Sequence, residues 1–214
     1  MSRGLVLLAI ACVGCAPSRA TGPSDQAPPG SVVIKKETMA IRQGPIGVRE
    51  TQDATYVLVD VENKSDVDRI IAIEGALTDA EGRDISPLSL DEMHVPTGEK
   101  RTFALVGNQV LPQAVDARLN IRRAARAEHP PPLRVTEQRA EQDEDHLAVT
   151  GRIRNTLERP ALATIVATFY DKDGKILARP FRFLEFAPEQ SRPIRFDGPR
   201  KAALARLFVG GEAY

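Results

Sequence analysis

Tryptophan is absent from this 214-residue sequence, histidine occurs three times and cysteine twice, and both cysteines, Cys12 and Cys15, lie within the first fifteen positions. The other 199 residues (214 − 15) therefore hold no disulfide framework and no cysteine-based metal site. Net charge is missing too. Lys+Arg and Asp+Glu are equal at 29 each. Residues 31–129 carry 13 basic and 16 acidic side chains, and residues 130–214 carry 14 and 12, so neither half has the basic excess of a nucleic-acid footprint. No apolar run approaches the ~20 residues a membrane-spanning helix needs. There is no Gly-x-Ser-x-Gly, no glycine-rich phosphate loop and no serine beside an evident base. The expectation is a protein without catalytic residues, bound metal or cofactor.

What is present begins at the N-terminus. Met1-Ser2-Arg3 is a short basic region, followed by the apolar run 4–14 and then Cys15-Ala16-Pro17-Ser18. The pattern fits a secretory leader. Cys12-Val13-Gly14-Cys15 resembles a bacterial lipobox, and Ala9-Ile10-Ala11-Cys12 is an alternative box. The resemblance implies cleavage after residue 14 and diacylglycerol on the Cys15 sulfur. It also implies attachment to a lipid bilayer, with Ala16 favouring sorting to the outer membrane, facing the periplasm. Two or three acyl chains on one residue suffice for stable anchoring, where a single chain gives only marginal binding. Residues 15–30 are rich in Pro, Gly and Ser and are expected to be a disordered tether.

The body is duplicated. Asn63 and Asn155, Asp79 and Asp171, Gly82 and Gly174, and Pro96 and Pro188 are each 92 positions apart (155 − 63). Apolar positions between these anchors keep the same register, such as Val57 with Val149 and Ile73 with Ile165. Within each copy, apolar and polar residues alternate, as at 147–154, where Leu147, Val149 and Ile153 lie opposite Thr150, Arg152 and Arg154. That is the period of a half-buried antiparallel strand. Asp79-Ala80-Glu81-Gly82 and Asp171-Lys172-Asp173-Gly174 read as tight turns, with Gly82 and Gly174 supplying positive φ.

Further strands are expected after each turn and at 101–106, 117–122, 192–196 and 205–209. Others fall at 32–36, 46–49 and 133–137. Six or seven short strands per copy predict an all-β protein of two tandem Ig-like β-sandwich domains, at 31–123 and 133–214. A Pro-rich linker, 124–132, is expected to be stiff and to hold the second domain away from the first. The run Gly151 to Asn155, with Tyr170-Asp171-Lys172-Asp173-Gly174, resembles the FxLYD domain, a small Ig-like domain of envelope lipoproteins, over about residues 133–209. The first copy matches it more loosely. The resemblance implies a non-catalytic module and no functional residues to carry over.

The remaining candidates are few. His94, beside Met93, His129 and His146 read as surface groups. The acidic run 141–145 reads as a solvated loop, and Arg118, Arg122, Arg123 and Arg126 as the protected face of an edge strand. Phe181, Phe183 and Phe186 read as strand packing, with an aromatic docking patch as the alternative. The function expected is protein binding or structural assembly in the bacterial envelope with another envelope protein as partner. The alternative is a metal carrier or enzyme accessory whose site is assembled from scattered polar residues.

Overall fold

The computed structural model describes residues 26–46, 52–143 and 145–213. The leader 1–14, Cys15, the alternative Cys12 and tether residues 15–25 lie outside the described residues, as do residues 47–49 of the strand expected at 46–49.

Among the described residues the chain is all-β. The first half contains β1 (Val32–Ile46), β2 (Gln52–Asn63), β3 (Arg69–Thr78), β4 (Asp84–Val95), β5 (Lys100–Val106) and β6 (Asp116–Arg126). The second contains β7 (Leu133–Asp143), β8 (His146–Asn155), β9 (Ala161–Tyr170), β10 (Ile176–Ala178), β11 (Phe181–Phe186), β12 (Ser191–Asp197) and β13 (Leu204–Ala213). Strand order repeats as the sequence does. Sheet β1-β2-β5 is matched by β7-β8-β12, and β4-β3-β6 by β10/β11-β9-β13. Each half closes two such sheets over its own core. Val57, Val59, Val61, Phe103 and Leu105 face Ile71, Ile73, Leu77 and Met93 in the first. Val149, Ile153 and Phe196 face Ile165, Phe169 and Phe186 in the second. The alternation seen in the sequence sorts these side chains inward.

Several local expectations are corrected. Residues 32–36 and 46 belong to one strand, β1, which tolerates the intervening polar residues through a register shift between Lys35 and Ala40. Strand β7 runs on to Asp143, so the acidic run is partly strand: Glu141 is exposed on an edge, and Asp143 pairs with Arg195. In the second half, Arg179 and Pro180 split one expected strand into β10 and β11. The Pro96/Pro188 match is one residue out of register. Glu99 N–H donates to Pro96 O, and Gln190 N–H donates to Ala187 O, so Pro188 corresponds to Thr97. The turns are equally long, the stretch leading to the second being one residue shorter, and Glu189 (φ 54) takes the left-handed place that Gly98 (φ 72) fills in the first.

The tether and linker are also shorter than expected. Gln26 bridges Ala125, Ala27 N–H donates to Ala124 O at 2.9 Å, and Ala27 packs against the first core. Gln26 and Ala27 are thus docked along β6. Strand β6 itself includes positions 124–126 of the expected linker, and Ala124 is buried.

The largest correction is that the triple proline does not separate the sandwiches. The outer face of β2 and β5 lies on the outer face of β9, burying Leu58, Ala104 and Val166 in a third apolar cluster with Tyr56 and Phe181 at its rim. Phe208 of β13 reaches into the first core, under the Arg101 guanidinium at 5.1 Å. Gly210 permits that approach, because a Cβ there would lie 2.7 Å from Glu92 O. The two sandwiches therefore stack as four layers of sheet, with a buried seam between the inner two.

Candidate functional site

The turn and loop residues singled out by the duplication hold the ends of each sandwich together. Asn63 and Asn155 are fully buried. Asn63 Nδ2 donates to Val67 O at 2.8 Å and Val95 O at 3.0 Å, while its Oδ1 accepts from Ser65 N–H. Asn155 repeats the pattern with Arg159 O, Ala187 O and Leu157 N–H at 2.8, 3.1 and 3.1 Å. Each side chain ties the loop following its own strand to the turn before β5 or β12. Asp79 Oδ1 accepts from Glu81 N–H and Arg83 N–H, and Asp171 Oδ1 accepts from Asp173 N–H and Lys175 N–H. Gly82 (φ 75) and Gly174 (φ 79) close those turns. Arg83, hydrogen-bonded to Asp79, is the main reason the Asp79 carboxyl is held below its ordinary value.

The arrangement that sequence reasoning missed is polar and lies in the seam. Asp60, on the outer face of β2, is buried, and so are Thr102 and Thr168. Arg179 Nη1 lies 3.3 Å from Asp60 Oδ1, and its other terminal nitrogen donates to Thr38 O. Thr102 Oγ1 donates to the same carboxylate oxygen at 2.7 Å and sits 3.0 Å from Thr168 Oγ1. Thr38 Oγ1 in turn accepts from Asp60 N–H at 2.9 Å. A buried carboxylate of one sandwich thus meets a buried guanidinium of the other, inside a network that leaves no orphaned polar group. Burial pushes the Arg179 guanidinium below its usual value, with Asp60 opposing and Arg42 adding to the fall. Burial also raises the phenol of Tyr170, and the nearby Asp60 carboxylate adds to that. The only sequence signal was an acid within the apolar run 56–61, which alternation assigns to solvent.

Beside the seam opens a cleft of about 950 Å³ between the shifted part of β1 and the β9–β10 connection. Thr38, Met39, Arg42 and Tyr56 line one wall, and Ile176 to Pro180 the other. It is a broad, open groove of mixed character.

The other sequence candidates are scattered. His94 Nε2 lies 3.4 Å from Asp68 Oδ2, near Arg101 and the linker prolines. His146 lies between Asp145 and Asp197 at 3.5 Å from each, and His129 sits in the linker. Among the described residues no group of three or more His, Cys, Asp or Glu is placed to hold a metal ion. Arg118, Arg122 and Arg123 pair with Asp84, Glu74 and Glu92 across their sheet. Phe186 is core, whereas Phe181 and Phe183 form an edge-to-face row with Tyr56, at centroid distances of 4.8 and 5.5 Å.

Burial is the main reason the His94 imidazole falls below its ordinary value of 6.5; Asp68 and Glu99 oppose the fall and Arg101 adds to it. Its stabilising contribution is present above about pH 6.5, the value in the unfolded chain, and is lost as pH falls through and below it. We expect the urea midpoint to fall between pH 7.5 and 5.5 in the native chain and to fall less in His94→Gln. Equal falls in the two proteins would remove His94 as the cause.

Fold and geometry define a class: an all-β body of two stacked sandwiches joined through a buried ion pair. In comparisons with known proteins, no family model matches this chain and no curated protein is similar to it.

Proposed function

We propose that this chain is a lipid-anchored bacterial envelope protein, held to the outer membrane through acylated Cys15, that binds another envelope protein without catalysing a reaction. On this reading both sandwiches are Ig-like, and the second is an FxLYD-like domain. The observation that carries the proposal is the seam: two sandwiches locked by Asp60, Arg179, Thr102 and Thr168 behave as one body that presents its sheet edges in fixed orientation. On this reading a leader, residues 1–14, and the anchor Cys15 precede that body, and the chain enters it at Gln26, docked on β6. An extended stretch of 11 residues (26 − 15) spans at most about 40 Å, so the body stays close to any surface holding the anchor.

Mass spectrometry of the envelope fraction tests the anchor. Cys15 is expected to carry a diacylglyceryl thioether and a free or acylated new N-terminus, and Cys15→Ser is expected to leave the membrane fraction. An unmodified Cys15 in membranes, or lipid on Cys12 instead, would reject that assignment. Crosslinking in intact cells tests the binding role: no reproducible partner recovered with the native chain counts against it.

A further inference from the structure

An unpaired strand edge invites another strand, and folded proteins protect such edges by charge, proline, bulges or covering groups. Nearly every edge here is protected. β1 carries the Lys35/Ala40 shift and Pro45, and β7 is charged and shifted between Thr136 and Arg139. β5 is capped by Asp91, which accepts from Ala104 N–H, and by Ser89, which accepts from Val106 N–H. That engages β4 as well. β6 is covered at Ala124 and Ala125 by Gln26 and Ala27 and carries Arg118, Arg122 and Arg123 before them, and β13 receives Gln138 at Leu207 N–H. β12 has Pro193 at its centre, and β10 has only three residues.

β11 is different. Ala167 N–H donates to Pro180 O, which fixes Phe181↔Val166 as a non-hydrogen-bonded pair. The main-chain groups of Arg182 and Leu184 therefore turn to β9, and those of Phe181, Phe183 and Glu185 turn to the open side. Glu185 O on that side accepts from Arg192 at 3.3 Å, in keeping with this register. The duplication explains why the edge stays open. Asp91 pairs with Ile73, and Arg182 pairs with Ile165, 92 positions on, so Arg182 occupies Asp91's place. A guanidinium cannot accept the β12 N–H that a carboxylate would cap.

We propose that the free edge of β11 receives an extended segment of a partner protein as an added strand, with apolar and acidic side chains alternating along it. The proposal rests on the protein-binding reading above and names the surface. On one face of the added strand, apolar side chains meet the Tyr56–Phe181–Phe183 row. On the other face lie Arg182, stacked on Phe196 at 4.9 Å, and Arg192, stacked on Phe186 at 5.8 Å, neither ion-paired with a carboxylate among the described residues. Acidic side chains complete that face. Strand addition gives affinity through main-chain bonds and selectivity through alternate side chains. A second copy of β11 is the wrong occupant, because its own side-chain set on that face is Arg182, Leu184 and Phe186, which sets arginine against arginine.

The test titrates the full chain with three capped heptapeptides, Val-Glu-Val-Glu-Val-Glu-Val, the same with lysine for glutamate, and the first with proline for its second valine, and follows amide hydrogen exchange. The Val/Glu peptide is expected to slow exchange at Phe181 and Phe183 roughly tenfold, and the other two to bind at least roughly tenfold more weakly. Phe183→Pro removes an N–H that faces away from β9, so it is expected to abolish protection by the peptide while β9 amides stay protected; Arg182→Glu is expected to shift preference to the lysine peptide. Equal protection by all three peptides, protection centred on another strand, or none at millimolar peptide would overturn the assignment. If cell crosslinking recovers the same partner with native chain and Phe183→Pro, the edge is wrong while the binding role stands. If the native chain recovers none, it is the binding role that fails.

Discussion

Replacing Arg179 by methionine is expected to lower the stability of the full chain by about 3–5 kcal/mol, because it leaves the Asp60 carboxylate buried with the Thr102 hydroxyl as its remaining donor. Such a penalty comes chiefly from the abandoned charge, not from the net worth of the pair. The double variant Arg179→Met, Asp60→Leu should therefore recover most of the loss, since well-packed apolar pairs often equal buried ion pairs. Urea unfolding followed by tyrosine fluorescence suits the measurement: the chain has no tryptophan, and Tyr56 and Tyr170 both flank the seam. A loss under about 1 kcal/mol, of the size typical for an exposed pair, would show that water reaches the seam and that the sandwiches are not locked.

Asn155→Ala should have an effect of the same order, by a different mechanism. It strips two carbonyls at a partly buried site, Arg159 O and Ala187 O, of their donor and Leu157 N–H of its acceptor. At ~1–3 kcal/mol for each buried group left unpaired, partly relieved by entering water, the expected loss is about 2–4 kcal/mol. Asn63→Ala is expected to cost at least as much, since Asn63 Oδ1 also accepts from Ser65 Oγ, and Ser65 accepts from Arg69 Nε. The diagnostic variants are Asn63→Asp and Asn155→Asp. A carboxylate keeps the acceptor but sets negative charge against two carbonyls, so it should be no better than alanine. A well-tolerated Asp would mean that the amide donors contribute little. Because each Asn serves its own sandwich, additivity of the two alanine variants also reports whether the halves unfold separately.

Much of the fold is legible in the order of residues. The Asn, Asp and Gly anchors recur at one spacing because each has a main-chain partner set that no other residue type reproduces, so both copies retain them. The same local chemistry misled at Pro96 and Pro188. A proline satisfies two adjacent turn positions, and only the hydrogen bonds from Glu99 and Gln190 show that the stretch leading to the second turn is one residue shorter. The candidate surfaces were far less legible. Period-two alternation tells which side chains leave the core of their own sandwich, but not what covers them afterwards. Leu58, Asp60, Thr102 and Thr168 all sit on outward positions, and all are buried.

Sequence alone determined the strands, the duplicated plan, the turn residues and the inward faces, because these depend on interactions within a few residues or on one repeating period. Only tertiary structure decided that the two sandwiches stack, that Asp60 finds Arg179 across 119 positions of chain, and that β11 keeps an open edge where β4 does not. Those outcomes depend on which surfaces exclude water together, and that is a property of the assembled layers with no local trace in the chain.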